Sequence, residues 1–145
     1  MSHTFVKDIM KSTVISIDSS MSVKDAAKMM ADAGVGCIVV MENNVAVGIL
    51  TERDFVRRIA ASEKSLSTPV KEVMSSPLIV INPDETVWEL AELMKQRRIH
   101  KVPVVHEDRV IGIATSTDLT RVCSVGSNSE MRKICDQILL RMKPN

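Results

Sequence analysis

An internal repeat constrains the fold of this sequence more than any other feature. The stretch VKDIMKSTVISI, from Val6 to Ile17, matches VKEVMSSPLIVI, from Val70 to Ile81, after a shift of 64 residues. Continued without a gap, the same shift gives about 15 identities in 52 paired positions, and most other pairs are conservative. An ungapped match with a shared apolar pattern indicates a duplicated structural unit. The chain therefore contains two copies of one fold.

Each copy has the residue pattern of a strand, a helix, two strands and a second helix. The β-branched segments 14–17 and 78–81 predict the first strands, and apolar residues at helical spacing follow each of them. We expect residues 18–20 and 82–84 to start these helices. The apolar runs 37–41 and 102–105 predict buried strands, each followed by a polar hairpin turn. Pro103 cannot donate a ladder hydrogen bond, so its strand is expected at an edge or a bend.

The predicted fold class is α/β (α+β), with two tandem β-α-β-β-α repeats. A unit of about 50 residues buries little apolar surface by itself, so we expect the copies to pair about a pseudo-two-fold axis. The repeats are assigned to residues 6–60 and 70–123, and the polar segment 61–69, which ends in proline, to a linker. Residues 128–142 carry apolar side chains at helical spacing and predict a C-terminal amphipathic helix.

Composition excludes several classes of protein. The 145 residues have a formal net charge of +1 and only three aromatic side chains, which disfavours nucleic-acid binding. No apolar run approaches the roughly 18 residues of a membrane span, and no signal peptide is evident, so we expect a cytoplasmic protein. Three cysteines without a C-x-x-C pair indicate neither a disulfide framework nor a zinc site.

Residues that could perform catalysis are not arranged as catalytic groups. His3 lies near the start of the chain and His106 borders a predicted turn, and neither belongs to a recognisable triad or metal cluster. No glycine-rich phosphate loop follows a strand. We therefore expect no enzymatic activity, no metal and no required cofactor.

The segments GILTERD, Gly48 to Asp54, and GIATSTD, Gly112 to Asp118, share the pattern G-[apolar]-x-T-x-x-D at the start of the second helix of each copy. In one interpretation, threonine caps the helix and aspartate closes a capping box. In the other, aspartate holds the hydroxyls of a ribose while threonine and the helix N-terminus meet phosphate. The two interpretations are compatible.

Taken together, the duplicated unit and these two motifs resemble a pair of CBS (cystathionine β-synthase) domains, over about residues 6–122. The stretch RRIHKVPVV, Arg97 to Val105, is also similar to part of the regulatory gamma subunit of AMP-activated kinases. The resemblance implies a regulatory module that binds an adenosine-containing nucleotide, AMP, ADP or ATP, in clefts between the repeats. S-adenosylmethionine and coenzyme A satisfy the same ribose and adenine chemistry.

The resemblance also implies which residues bind the ligand. Asp54 and Asp118 would hold ribose, and Thr51 and Thr115 would meet phosphate. The other candidates are His100, Lys101, Arg53 and Thr117 for phosphate, Thr13, Val14, Pro77 and Leu78 for adenine, and Pro103. The alternatives are a solvated helix end for His100 and Lys101, plain strand core for Val14 and Leu78, and solvated helix-start residues for Arg53 and Thr117. Gly34 and Gly36, which take the places of Arg98 and His100 in the first copy, would leave room there.

The apolar faces left over predict a homodimer. Trp88 directly follows the core residue Val87 and so points away from its own core, unless it is a partly shielded surface side chain. The alternatives to a ligand sensor are an interaction scaffold without a ligand, a nucleic-acid-binding regulator and an enzyme. Both aspartates are present, which favours the sensor. The protein partner that would read the signal is not indicated by the sequence.

Overall fold

The computed structural model describes residues 4–125, with side chains up to residue 122. These residues form two compact units. The split unit joins the chain before Val14 to the chain from Val80 onward, and the continuous unit comprises Val14–Ile79. The C-terminal helix predicted over 128–142 lies outside the described residues, as does His3.

The continuous unit contains a three-stranded sheet. Its elements are β1 (Ser16–Asp18), α2 (Val23–Ala33), β2 (Cys37–Glu42), β3 (Val45–Thr51), α3 (Glu52–Asp54) with its π-helical continuation (Phe55–Ala60), and a 3-10 turn (Val70–Glu72). β2 lies between β1, to which it is parallel, and β3, to which it is antiparallel. Ile38 and Leu50 of the sheet pack against Val23 of α2 and Val70 of the 3-10 turn in one core.

The split unit repeats this arrangement with a shorter sheet. Its elements are α1 (Val6–Ile9), α4 (Val87–Arg97), β4 (Lys101–His106), β5 (Arg109–Thr115) and α5 (Ser116–Val125). The strand predicted over 78–81 is wrong in extent, because only Ile81 pairs there, in a single parallel bridge with Val104. Ile81 N donates to the carbonyl of Pro103 at 3.0 Å. Since Pro103 offers no N–H, β4 belongs to a ladder of only two strands.

Two tight turns close the predicted hairpins. Asn43 and Asn44 have φ angles of 51° and 64°, and Glu107 and Asp108 have angles of 50° and 63°. Two consecutive residues with positive φ match the right-handed twist of the flanking strands. The hairpins β2–β3 and β4–β5 are therefore confirmed where the polar pairs predicted them.

The residues predicted to start α2 and α4 are wrong. The N-caps are Ser22 and Thr86, whose hydroxyls accept hydrogen bonds from backbone N–H groups three residues later, each at 3.2 Å. The polar residues upstream serve turns, because Asp18 and Asn82 accept from the backbone N–H two residues on. Short polar side chains that bond locally in this way turn the chain before a helix begins.

A short segment near the start of each repeat packs on the strands of the other repeat. Lys11 pairs with Ile113 of β5 through two backbone hydrogen bonds of 2.9 and 2.8 Å, inside the split unit. Ser75 pairs in the same way with Ile49 of β3, at 2.8 and 3.1 Å, inside the continuous unit. We call residues 10–11 and 74–75 the exchanged segments. They explain why the split unit is assembled from two distant parts of the chain.

The glycine of each G-[apolar]-x-T-x-x-D motif permits this pairing. A Cβ on Gly48 would lie 2.6 Å from the sulfur of Met74 and 2.9 Å from the carbonyl oxygen of the next residue. A Cβ on Gly112 would lie at the same two distances from Met10 and from the carbonyl after it. Both exchanged segments therefore approach a strand more closely than any side chain allows.

Trp88 on α4 is 37% exposed, whereas the neighbouring Val87 is buried. The side chain thus points away from the core of its own repeat, as the sequence predicted, and it is partly shielded as well. Within residues 4–125, no helix combines the length and the apolar character that crossing a bilayer requires.

Candidate functional site

Both second helices begin with a reciprocal threonine–aspartate pair. Thr115 donates from its backbone N and its Oγ1 to Asp118 Oδ2, at 2.9 and 3.0 Å, and Asp118 N donates back to Thr115 Oγ1 at 3.2 Å. Thr51 and Asp54 form the same three bonds at 2.9, 3.1 and 3.3 Å. The capping-box interpretation is therefore confirmed in both copies, with aspartate making the return bond.

The second carboxylate oxygen of Asp118 is buried without a hydrogen bond. Asp118 is 1% exposed, and Oδ1 has no hydrogen-bond partner among the described residues. The guanidinium of Arg121 forms an ion pair with this oxygen at 3.5 Å, from a side chain that is 61% exposed. Buried polar atoms nearly always have a hydrogen-bond partner, so Oδ1 of Asp118 requires an explanation.

Asp54 has the same cap but a different second oxygen. The hydroxyl of Ser75 lies 3.3 Å from Oδ1 and 3.4 Å from Oδ2 of Asp54, and Nε of Arg58 pairs with Oδ1 at 3.4 Å. Arg58 also donates to the carbonyl of Met74 at 3.0 Å, which fixes the guanidinium on the exchanged segment. Every oxygen of this carboxylate therefore has a partner inside the continuous unit.

The fold brings the basic candidates of the second copy to the start of α5. Ser116 N donates to the carbonyl of His100 at 3.0 Å, and Lys101 is the strand partner of Thr115. Thr117 is exposed in the first turn of the same helix. A helix N-terminus with a nearby lysine attracts negatively charged groups. Five of the candidate residues thus lie at one end of the split unit, namely His100, Lys101, Thr115, Thr117 and Asp118.

The other candidates are distributed over both units. In the continuous unit, Arg53 is exposed next to the cap of α3, and Pro77 and Leu78 follow Ser75 closely along the chain. Val14 precedes β1 in the same unit, whereas Thr13 follows Lys11 in the split unit. Pro103 is buried in β4 opposite Ile113 of β5.

An open apolar groove of about 550 Å³ lies in the continuous unit. It extends along the C-terminal half of α2 to the start of the helix after β3, and its lining includes Gly34 and Gly36. The sequence predicted that these glycines leave room, but it did not predict that Phe55 and the 64% exposed Val56 would complete an apolar wall. The lining contains one charged side chain, that of Glu52, and offers no cation for phosphate.

Metal chemistry has no candidate site in the part of the chain that the structure describes. No group of three or more histidine, cysteine, aspartate or glutamate side chains is close enough to hold an ion there. Cys37 is buried in β2.

The family of this chain follows from comparison with known proteins. The CBS domain family matches residues 6–61 and 70–125. This chain belongs to the CBS-domain family. It is similar to the CBS domain-containing protein YhcV of Bacillus subtilis, with 36% identity over 114 residues, which cover 79% of this chain and 81% of YhcV. A CBS pair is a regulatory ligand-binding module.

A solved structure shows which chemistry one such pair accepts. The CBS domain pair of protein MJ0100, in complex with 5′-methylthioadenosine and S-adenosyl-L-methionine, superposes on this chain with a TM-score of 0.76 and 31% identity. The match covers 86% of this chain and 98% of that one. A homoserine O-acetyltransferase of Methanohalobium evestigatum is 32% identical over 124 residues, but this chain spans only 24% of its length.

Proposed function

We propose that this CBS pair is a regulatory module that binds an adenosine-containing ligand through Asp118. Oδ1 of Asp118, which is buried without a hydrogen bond, carries the proposal. A ribose hydroxyl would donate a charge-assisted hydrogen bond to this oxygen, and such bonds are about twice as strong as neutral ones. The guanidinium of Arg121 pairs with the same oxygen from a side chain that is 61% exposed, and it would have to move aside for the ligand.

Groups around the start of α5 complete the proposed site. His100 and Lys101 would meet the phosphate of AMP, ADP or ATP, together with the helix N-terminus and the exposed Thr117. The carboxylate of S-adenosylmethionine or the phosphates of coenzyme A would meet the same cations. The adenosyl ligands of the MJ0100 pair support this ligand class.

The ligand would act by shifting a conformational equilibrium. It favours the arrangement to which it binds more tightly, and a protein partner reads the change in population. The proposed role requires neither a catalytic group nor a bound cofactor.

A melting experiment tests the ligand class directly. AMP, ATP, S-adenosylmethionine and coenzyme A are each added at millimolar concentration. At a ligand concentration one hundred times Kd, linkage stabilises the chain by about 2.7 kcal/mol. For a chain of this length, we expect the melting temperature to rise by roughly 5–10 °C.

The matched control is Asp118→Asn, which keeps the cap but removes the charge, and we expect it to reduce the shift for the same compound. If none of the four compounds moves the melting temperature, the sensor proposal fails and the scaffold without a ligand replaces it. Native mass spectrometry of protein from its source would weigh any retained ligand.

We further propose that the chain forms a homodimer. Trp88 and Val56 are exposed apolar side chains on helical segments, and burying such side chains against a second copy would favour association. Light scattering at micromolar concentration is expected to give twice the chain mass. A monomer mass would contradict the dimer.

A further inference from the structure

The two copies of the motif place their aspartates in the same local geometry but satisfy them differently. We propose that the chain binds one adenosyl ligand, at Asp118 in the split unit, and that the hydroxyl of Ser75 closes the equivalent carboxylate, Asp54. This inference rests on the proposed function, which it deepens by naming the occupied copy and the residue that closes the other copy.

The exchanged segments are the source of the difference. Ser75 and Lys11 are equivalent under the 64-residue shift, and each pairs with the isoleucine two positions before its motif threonine. The serine places a hydroxyl 3.3 Å from Oδ1 of Asp54. A lysine at the equivalent place brings no hydroxyl, and Oδ1 of Asp118 is left without a hydrogen bond.

The arginines add to the same asymmetry. Arg58 contacts both Asp54 and the carbonyl of Met74, so a ligand at Asp54 would have to displace a guanidinium that is held at two points. The equivalent of Arg58 under the shift is Val122. Asp118 has instead Arg121, whose guanidinium lies 3.5 Å from Oδ1 and whose side chain is 61% exposed.

The helices that follow the two aspartates also differ. α5 is a regular α-helix of ten residues, Ser116–Val125. α3 has three residues and continues as a π-helical segment, Phe55–Ala60. The α-helical hydrogen-bond pattern behind the cap therefore extends over ten residues in the second copy and over three in the first.

Isothermal titration calorimetry of the full chain with AMP, and separately with S-adenosylmethionine, tests the inference. We expect one ligand per chain for at least one of the two compounds. Asp118→Asn should weaken that binding at least tenfold, because the charge that accepts the hydroxyls is removed. Asp54→Asn should leave the stoichiometry and the affinity within about twofold. Both asparagine variants keep the acceptor oxygen of the cap, and circular dichroism spectra check their folding.

Substitutions in the exchanged segments test whether the hydroxyl of Ser75 causes the difference between the two aspartates. Lys11→Ser supplies Asp118 with the hydroxyl that Asp54 has, and we expect the affinity to fall roughly three- to tenfold, the equivalent of one hydrogen bond. Lys11→Ala is the control, because it removes the ammonium without adding a hydroxyl, and it should weaken binding less. Ser75→Ala should allow a second, weaker ligand per chain, which the additional change Asp54→Asn abolishes.

The outcomes distinguish the inference from the function on which it rests. Two ligands bound by the unaltered chain, or binding lost in Asp54→Asn and kept in Asp118→Asn, would overturn the one-site inference and leave the sensor function intact. Equal effects of Lys11→Ser and Lys11→Ala would overturn the role given to the hydroxyl. If neither AMP nor S-adenosylmethionine binds, the proposed function fails for both compounds, and the one-site inference fails as well.

Discussion

Asp54 and Asp118 begin the second helices of two copies of one fold, and their Oδ2 atoms accept the same two bonds from threonine. Their Oδ1 atoms differ, because one accepts from Ser75 while the other is buried without a hydrogen bond. The difference arises outside the motif, in the exchanged segment that pairs with the strand before it. The motif therefore specifies the helix cap, whereas the exchanged segment packed beside it determines whether the second carboxylate oxygen can accept a hydrogen bond from a ligand.

The largest expected effect tests a feature that both units share, the close pairing of an exchanged segment with the strand that carries the motif glycine. Gly48→Ala and Gly112→Ala each place a Cβ 2.9 Å from a backbone carbonyl of an exchanged segment. Overpacking of this kind costs about 1–3 kcal/mol, so each change should lower the free energy of unfolding by that amount in urea denaturation. Val45→Thr, an exposed change of similar volume on β3, is the control, with less than about 0.5 kcal/mol expected. Unchanged stability in both alanine variants would show that the exchanged segments do not pair as described.

The next largest effect tests a feature in which the two units differ, the hydroxyl that bonds to Asp54 but has no equivalent at Asp118. Ser75→Ala removes the hydroxyl from Asp54 and should cost about 1 kcal/mol, because a buried carboxylate loses a hydrogen bond. Lys11→Ala removes no hydrogen bond from Asp118 and should change the free energy of unfolding by less than about 0.5 kcal/mol. Urea denaturation of both variants measures the difference. Equal costs would mean that the two carboxylates are held alike.

The C-caps of the first helices offer a smaller comparison. α2 ends at Gly34 with φ of 66°, and α4 ends at Arg98 with φ of 55°. The left-handed conformation is strained for any residue with a Cβ, so Gly34→Ala should destabilise the chain by about 1 kcal/mol, while Arg98→Gly should stabilise it by about 0.5–1 kcal/mol. Nothing lies within 4 Å of a Cβ built on Gly34, so backbone strain alone would account for its loss. Shifts of the opposite sign in thermal melting would contradict this account.

The smallest expected effect is a pH dependence of the free energy of unfolding that originates at Asp18. Two hydrogen bonds from Ser20 lower the pKa of Asp18, whereas its counterpart in the other copy is Asn82, which does not titrate. Because the pKa of Asp18 is lower in the folded chain than in the unfolded chain, where it is near 3.9, the ionised carboxylate stabilises the fold at pH values above 3.9. This stabilisation is lost as the pH falls through the pKa of the folded chain. Asp18→Asn should therefore be less stable than the unaltered chain at pH 6, and the gap should close on acidification.

Urea midpoints measured between pH 6 and pH 2 test this expectation. Asn82→Ala, the control, should show the same loss of stability at every pH. A gap for Asp18→Asn that does not change with pH would contradict the assigned pKa.

Local features of the fold could be predicted from the sequence because they depend on neighbours along the chain. The strands around 37–41 and 102–105 and the two polar hairpin turns follow from apolar runs and turn residues. The predicted starts of α2 and α4 were a few residues too early along the chain. Asp18 and Asn82 form turns, and the N-caps are Ser22 and Thr86.

The exchange of segments could not be predicted in this way. Nothing local distinguishes a helical turn that packs on the following strands from one that packs on the other repeat. The contact of Ser75 with Asp54, 21 residues apart, depends on that exchange. The sequence therefore identified both aspartates as candidates without distinguishing them.

A crystal structure of the chain with AMP, and a second one with S-adenosylmethionine, would test the central claim most directly. We expect a ribose hydroxyl within hydrogen-bond distance of Oδ1 of Asp118, with the side chain of Arg121 moved aside. At Asp54 we expect no ligand and an intact hydrogen bond from Ser75. A ribose on Asp54, or a nucleoside bound away from both aspartates, would contradict the claim.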